Sequence, residues 1–163
     1  MSDPGIRPID DADLADVLEL NQAHVPAVGS LDRDRLARLV AQAETAVVAE
    51  DGSSLAGFVI ALPPGVDYTS PNYRWFSARY QDFVYVDRVA VSAEHQRAGV
   101  GQLLYDQVEA RTDAPLFCCE VNLRPRNDAS LRFHERRGFE PVGEQDTDDG
   151  AKRVLLLAKE LDG

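Results

Sequence analysis

The chain has 163 residues, of which 28 are acidic and 17 are basic, and its formal net charge is −11. A protein this acidic has no overall field that attracts nucleic acid or an anionic membrane surface, so we expect neither as a partner. No apolar run is long enough for a transmembrane helix, and no signal peptide is visible at the N-terminus.

Hydrophobic periodicity and turn residues divide the first half of the chain into five elements. In chain order these are an extended segment at 5–9, a helix capped at Asp10, a helix capped near Asp32, and strands at 45–50 and 55–62. The turn residues Asp51-Gly52 predict that the two strands form a hairpin. The stretch 66–80 is rich in aromatic rings but has no regular period, so we interpret it as an irregular loop, either a binding wall or a lid over the core.

Strands and helices alternate in the second half, which predicts one mixed α/β domain over residues 1–163. In chain order the elements are a strand at 83–91, a helix burying Val100, Leu103, Leu104 and Val108, a strand at 116–123, a helix at 128–137 ended by Gly138, and strands near 139–144 and 152–158. The adjacent Cys118 and Cys119 point to opposite faces of their strand. We therefore expect two buried thiols instead of a disulfide, as in a cytoplasmic protein.

The segment from Val89 to Gly101 combines a strand end, a short loop with two glycines and a helix N-terminus. The backbone N–H groups and dipole of a first helical turn stabilise phosphate oxygens, and glycine lets backbone approach a ligand closely. Residues predicted to line this pyrophosphate cradle are Gln96, Arg97, Ala98, Gly99, Val100, Gly101 and Gln102. Two glycines also occur where they only tighten a strand-to-helix turn, so this alternative stays open.

The charge of the chain is unevenly distributed around this segment. Residues 88–137 contain eight arginines and seven acidic residues, whereas the remainder contains nine cations and 21 anions. The segment therefore has a net charge of +1 and the remainder a net charge of −12. The weaker negative potential around the segment suits a polyanionic ligand. The acidic remainder would also favour a cationic acceptor such as an amine.

Asn127, Ser130 and His134 are spaced so that they lie along one face of the last helix. Asn127 or its neighbour Asp128 has an alternative role as the N-cap, and His134 has an alternative role in the core. Phe133 and Phe139, on either side of Gly138, are predicted to be core residues.

Two motifs resemble the GNAT superfamily of N-acetyltransferases. Gln96-x-x-Gly99-x-Gly101, after Val89-Ala90-Val91, resembles its acyl-coenzyme A signature, and Asn127-x-x-Ser130-x-x-Phe133-His134 resembles its second coenzyme-binding motif. The order of elements resembles the family over nearly the whole chain, which implies an α/β (α+β) domain with a mostly antiparallel central sheet flanked by helices. Segments 20–28, 70–76 and 85–88 further resemble a bacterial branch of predicted acetyltransferases of unknown acceptor.

The resemblance implies acetyl-coenzyme A as co-substrate and assigns roles by position. Backbone groups of Val89 and Val91 would bind the pantetheine arm, residues 96–102 the pyrophosphate, and Asn127 and Ser130 would face the coenzyme. Many family members protonate the departing thiolate with a tyrosine where this chain has His134. Histidine, with an ordinary pKa of about 6.5, can also donate a proton.

The strand that carries the general base in many family members departs from the family pattern here. Many members carry a glutamate on the strand before the signature, where this chain has Tyr85 and Asp87. Glu120 is our preferred candidate, because a carboxylate in an apolar strand costs desolvation energy unless it is paired. A salt bridge to an arginine such as Arg88 would explain Glu120 equally well.

The acceptor is expected to contact His24, Tyr73, Trp75 and Asn122, although the aromatic residues suit the core or a dimer surface equally. These features together predict direct N-acetyl transfer from acetyl-coenzyme A to a primary amine in a ternary complex. The alternatives are a non-catalytic acyl-coenzyme A sensor and an acetyltransferase acting on a protein N-terminus. The three histidines are scattered without ligand spacing, so we expect no metal, and a homodimer formed through sheet edges is an open alternative to a monomer.

Overall fold

The computed structural model describes residues 5–96 and 98–161, which form seven strands and five α-helices. The strands are β1 (Gly5–Pro8), β2 (Thr45–Asp51), β3 (Ser54–Leu62), β4 (Val84–Val91), β5 (Leu116–Arg124), β6 (Glu140–Thr147) and β7 (Lys152–Glu160). The helices are α1 (Leu14–Ala23), α2 (Arg33–Gln42), α3 (Pro71–Arg79), α4 (Val100–Arg111) and α5 (Asp128–Arg136).

The strands follow the order β1-β2-β3-β4-β5-β7-β6 in a mixed sheet. β4 and β5 run parallel, whereas β1 with β2, β2 with β3, β5 with β7 and β6 with β7 are antiparallel. The predicted fold class, a mostly antiparallel sheet flanked by helices, is therefore confirmed. The chain divides into two compact units, one formed by residues up to Leu62 with Val86–Thr112, the other by Pro63–Tyr85 with the residues from Asp113 onward.

In the first unit the predicted helix caps are confirmed. The carboxylate of Asp10 accepts a hydrogen bond from the Ala12 N–H at 2.9 Å, and Asp13 reciprocates by accepting from the Asp10 N–H at 2.8 Å. This capping box opens a short 3₁₀ turn that leads into α1. Asp32 caps α2 by accepting from the Arg35 N–H at 2.8 Å.

The core of the first unit lies where α1, α2 and α4 pack against the hairpin strands. Leu104 and Val108 of α4 are fully buried, as predicted from their spacing. Leu103 is only half-buried, so its prediction as a core residue is wrong. Tyr105 is buried instead, because the buried face of α4 is rotated by part of a turn from the predicted stripe.

The second unit contains a helix where we expected an irregular loop. Residues 71–79 form α3, so the prediction for 66–80 is wrong over this range. Ser70 caps the helix by accepting from the Tyr73 N–H at 3.4 Å, and Pro71 occupies a first-turn position that needs no intrahelical donor. Tyr73 and Phe76, three residues apart, are its buried side chains.

Aromatic rings fill much of the second core. The ring centroid of Tyr85 lies 5.5 Å from that of Tyr73 and 5.7 Å from that of Phe76. Phe139 is buried against Phe117, as expected of a core residue. Phe133, however, is only half-buried, because the helical turn that contains it points His134 inward.

Cys118 and Cys119 are both buried and neither forms a disulfide, as predicted. Burial raises the pKa of the Cys118 thiol to about 12, so it is protonated at neutral pH. Among the helices of the described ranges, none combines the length and apolar character that crossing a bilayer requires.

Candidate functional site

The predicted pyrophosphate cradle is a helix N-terminus without a side-chain cap. β4 ends at Val91, and α4 begins at Val100 after Gly99, whose φ of 80° is in the left-handed region. No side chain of the cap residue bonds to the first turn, and the helical ladder begins with the Leu103 N–H donating to the Gly99 carbonyl at 3.1 Å. The backbone N–H groups of residues 100–102 thus come before the first intrahelical hydrogen bond, as the cradle prediction requires.

The space beside Gly99 is open. A Cβ atom built on Gly99 would meet no atom within 4 Å, and Ala98, Gly99 and Gln102 are exposed. Gln96 is also exposed, and its Nε2 lies 3.5 Å from the Val91 carbonyl. Arg97 lies outside the described residues.

Gly57 of β3 positions α4, and sequence reasoning missed it. A Cβ at this position would lie 2.8 Å from the Ala90 carbonyl oxygen and 3.2 Å from Val100 Cγ1. Only a residue without a side chain therefore allows the first turn of α4 to pack so closely on the strands. An isolated glycine inside a strand is a recognisable signal of such close approach.

A hydrogen-bonded triplet holds the loop between β4 and α4. The Ser92 hydroxyl lies 2.6 Å from His95 Nδ1, and His95 Nε2 lies 3.2 Å from Asp51 Oδ2. The Ser92 N–H also donates to the Ala56 carbonyl at 2.8 Å. The loop is thereby tied to both strands of the β2–β3 hairpin.

Asp87, a candidate base, contacts the following residue in β4. Its Oδ2 accepts from Arg88 Nε at 2.7 Å, and both side chains are about 5% exposed. Arg88 Nη1 also donates to Asn21 Oδ1 and to the Gly29 carbonyl, each at 2.9 Å. This arginine therefore fixes the segment between α1 and α2, where His24 Nδ1 donates to the Leu20 carbonyl at 3.0 Å.

In the second unit the structure brings together Glu120 and Tyr85, two other candidate catalytic residues. The Tyr85 hydroxyl donates to Glu120 Oε1 at 2.7 Å and lies 3.0 Å from Oε2. Asn72 Nδ2 donates to Glu120 Oε1 at 3.0 Å. Glu120 is half-buried, so these donors offset part of the cost of holding a carboxylate there.

The predicted acceptor residues of this unit differ in their surroundings. Tyr73 is buried, and its hydroxyl donates to the Pro63 carbonyl at 2.6 Å, so its contacts are those of a core residue. Trp75 is half-buried beneath the Arg79 guanidinium, whose carbon lies 3.8 Å from the ring centroid. Asn122 is half-buried and follows Glu120 by two residues in β5, so the two side chains share one face of the strand.

His134 is buried on α5, and its Nδ1 donates to the Ser130 carbonyl at 2.7 Å. Burial lowers the pKa of His134 below its usual value, and the nearby Arg137 charge lowers it further, whereas the bond to Ser130 opposes the shift. Asn127 is the N-cap of α5, with its Oδ1 accepting from the Ser130 N–H at 3.1 Å. Its predicted role as cap is therefore confirmed.

The described ranges 5–96 and 98–161 contain no group of three or more His, Cys, Asp or Glu side chains placed to hold a metal ion. The two units present different chemical groups. The first presents backbone donors at the start of α4, and the second presents a carboxylate supported by a tyrosine and an amide. The amide residue, Asn72, lies in the segment 70–76 that resembles the bacterial branch, but it was not among the predicted site residues.

Comparison with known proteins identifies the fold. The sequence model of the Acetyltransferase (GNAT) family matches residues 14–139. The structure is similar to Ard1 from Thermoplasma volcanium, with a TM-score of 0.79 and 16% identity over 99% of this chain and 100% of that chain. It is also similar to the ribosomal-protein-S18-alanine N-acetyltransferase from Escherichia coli, with a TM-score of 0.71 and 19% identity over 98% and 94% of the two chains.

A third similar structure, the protein yncA from Salmonella typhimurium with its cofactor acetyl-CoA, has a TM-score of 0.72 and 23% identity, covering 99% of this chain and 95% of that chain. At these identities the structures show a shared fold. The family match extends over more than three quarters of the sequence and includes both coenzyme motifs. The chain therefore belongs to the GNAT family of acetyltransferases.

Proposed function

We propose that this protein transfers an acetyl group from acetyl-coenzyme A to a primary amine within a ternary complex. The observation that carries the proposal is the N-terminus of α4, which follows a left-handed Gly99 and has no side-chain cap. Such a terminus suits a pyrophosphate, because its amides and the helix dipole stabilise negative charge. Membership of the GNAT family supports acetyl transfer as the reaction.

The residues that would hold the coenzyme are the backbone groups of Val89 and Val91, residues 96–102, and the polar side chains of Asn127 and Ser130. Open space beside Gly99 fits this role. Asn127 uses its Oδ1 for the helix cap, so its contact with the coenzyme would be made by Nδ2. Bound acetyl-coenzyme A supplies the acetyl group as an activated thioester.

The reaction forms one C–N bond, breaks one C–S bond and, from an ammonium acceptor, releases one proton. A primary amine with a lysine-like pKa of about 10.4 is mostly protonated at neutral pH, so a base must take its proton. We assign this role to Glu120, whose carboxylate is held by Tyr85 and Asn72. The Val89 N–H would donate to the thioester oxygen, where negative charge develops.

His134 is our candidate for protonating the departing thiolate. Because Nδ1 donates to the Ser130 carbonyl, Nε2 carries a proton only when the ring is cationic. The lowered pKa of His134 confines that form to the acidic side of the ordinary imidazole range. If His134 is the acid, turnover of His134→Ala should fall more than its affinity for the coenzyme.

Two measurements test the proposal. Titration of the purified protein with acetyl-coenzyme A should show saturable binding, and its absence at millimolar concentration would contradict the cradle. Thiol release measured over a panel of primary amines should depend on both protein and amine. Binding without amine-dependent release would favour the non-catalytic sensor.

A protein N-terminus is the second candidate acceptor. It is favoured by the fold shared with the ribosomal-protein-S18-alanine N-acetyltransferase. The same assay with short peptides that carry free or blocked N-termini separates this acceptor from a small amine. A peptide rate that disappears on blocking the N-terminus and exceeds the rates of all small amines would support it.

The buried thiols favour our proposal of a cytoplasmic location. For the oligomeric state, a homodimer formed through sheet edges is the alternative to a monomer. Sedimentation equilibrium distinguishes the two by mass.

A further inference from the structure

We propose that Asn72, oriented by Gln145, is a positioning residue for Glu120. This inference rests on the proposed function, in which Glu120 takes the proton of the acceptor amine. Asn72 donates through Nδ2 to Glu120 Oε1 at 3.0 Å, and its own Oδ1 accepts from Gln145 Nε2 at 3.0 Å. All three side chains are half-buried.

The direction of these hydrogen bonds gives Gln145 its role. An ionised carboxylate only accepts hydrogen bonds, whereas an amide has one donating and one accepting end. With the Asn72 amide reversed, its oxygen would face Glu120 Oε1 at 3.0 Å, which is repulsive. The Gln145 donor stabilises the orientation that presents NH₂ to Glu120, so the two amides act as one oriented chain.

The sheet register explains why residues so far apart in sequence meet. In the antiparallel strands β5, β7 and β6, Leu156 of β7 pairs with Glu120 on one side and with Gly143 on the other. Two residues along each strand, Val154 pairs in the same way with Asn122 and Gln145. Directly opposed residues point to the same face of a sheet. Gln145 is therefore on the face that carries Glu120.

Helix α3 covers this face with two side chains one turn apart. Trp75 lies against Gly143, where a Cβ atom would come within 2.5 Å of the indole Cζ2, and Asn72 lies between Glu120 and Gln145. The absence of a side chain at Gly143 thus allows α3 to approach closely enough for Asn72 to reach both partners.

The chemical consequence is control of the protonation and rotation of Glu120. Hydrogen-bond donors stabilise a carboxylate over a carboxylic acid, and an additional carboxylate at the same distance does the opposite. Replacing Gln145 by Glu removes the donor and offers an acceptor that competes for the Asn72 NH₂. The substitution Asn72→Asp places a second carboxylate directly beside Glu120.

The kinetic experiment compares wild type, Asn72→Asp, Asn72→Leu and Gln145→Glu over a range of pH. Glu144→Gln is the matched control, because this exposed residue lies on the other face of β6 and bonds to Arg153. We expect kcat to fall by about tenfold in Asn72→Leu and Gln145→Glu, with the KM for acetyl-coenzyme A unchanged. In Asn72→Asp and Gln145→Glu the acid limb of the kcat profile should move to higher pH.

Coupling to Glu120 separates positioning from a merely structural role. In a Glu120→Gln background, the Asn72 and Gln145 substitutions should cause no further loss of kcat. Equal losses with and without Glu120, or an acid limb that does not move, would overturn the proposal.

A measurement without turnover keeps this inference distinct from the proposed function. The ¹³Cδ resonance of Glu120 should titrate with its midpoint at higher pH in Asn72→Asp than in wild type, and in Glu144→Gln it should not move. If no amine is acetylated but the midpoint moves, the proposed function fails and the positioning role stands. If amines are acetylated and the midpoint is fixed, the positioning role fails alone.

Discussion

The imidazole Nδ1 of His134 donates a hydrogen bond to the carbonyl oxygen of Ser130, four residues earlier on α5, at 2.7 Å. This contact sets the tautomer of the neutral ring, with the proton on Nδ1. The ring also lies edge-on to Phe133 and Phe139. Burial among these groups lowers its pKa, so the folded protein favours the neutral ring.

The pH dependence of stability should report this shift. With a folded-state pKa below the unfolded value of about 6.5, the unfolded chain binds more protons, so this contribution to stability decreases as pH falls through 6.5 and below. His134→Asn keeps a donor for Ser130 but removes the titration. Urea unfolding at pH 7.5 and 5.5 should show a smaller acid-induced loss in the variant, and an equal loss would contradict the shift.

Substitution of Gly99 should weaken coenzyme binding beyond its effect on stability. Gly99→Leu puts a side chain at φ 80°, and Gly52→Leu, at φ 64° in the β2–β3 turn, is its matched control. Both substitutions should lower the free energy of unfolding by roughly 1–3 kcal/mol, because the left-handed region disfavours side chains. Only Gly99→Leu should weaken acetyl-coenzyme A binding in calorimetry; equal affinities in the two variants would remove the cradle assignment.

The packing of Trp75 on Gly143 predicts a coupled pair of substitutions. Gly143→Ala should destabilise the protein by about 1–3 kcal/mol, because its Cβ would lie 2.5 Å from Trp75 Cζ2. In a Trp75→Leu background the same substitution should cost much less, since the indole is gone. If the two substitutions lower the free energy of unfolding additively in chemical denaturation, the contact between Trp75 and Gly143 does not limit how α3 packs on β6.

Arg88 should be far more important for stability than an exposed arginine. Arg88→Leu leaves the buried Asp87 carboxylate without this partner and removes the hydrogen bonds to Asn21 and Gly29, at a cost of about 3–5 kcal/mol. Arg153→Leu, which breaks exposed pairs with Glu144 and Asp146, is the control and should cost far less. If the thermal melts of the two variants coincide, Arg88 is no more important for stability than Arg153.

Local signals in the sequence predicted most of the fold. Asp10 and Asp32 are caps because their carboxylates reach amides two or three residues away, which depends only on local spacing. Helix α3 was missed because its rings obscure the helical period, although Ser70-Pro71 is a start signal. The burial of Tyr105 instead of Leu103 depends on how α4 is rotated against its neighbours, which periodicity alone does not fix.

The candidate site was only partly accessible from sequence. Glu120 is predictable from sequence because a carboxylate is unusual in an apolar strand, and the structure places it beside Tyr85. Asn72 and Gln145 gave no such signal, since they are ordinary polar residues 73 positions apart in the chain. Gln145 lies near Glu120 because of the register of β5, β7 and β6, and Asn72 reaches both from α3; no local pattern encodes either relationship.

The most direct test of the central claim is amine-dependent release of coenzyme A thiol by the purified 163-residue chain. Acetyl-coenzyme A is supplied at saturation, with a panel of primary amines and free N-terminal peptides as acceptors. We predict release above the hydrolysis background for at least one acceptor, matched by the acetylated product in mass spectrometry and strongly reduced in Glu120→Gln. Saturable coenzyme binding with no thiol release above background for any acceptor would contradict the assignment as an N-acetyltransferase.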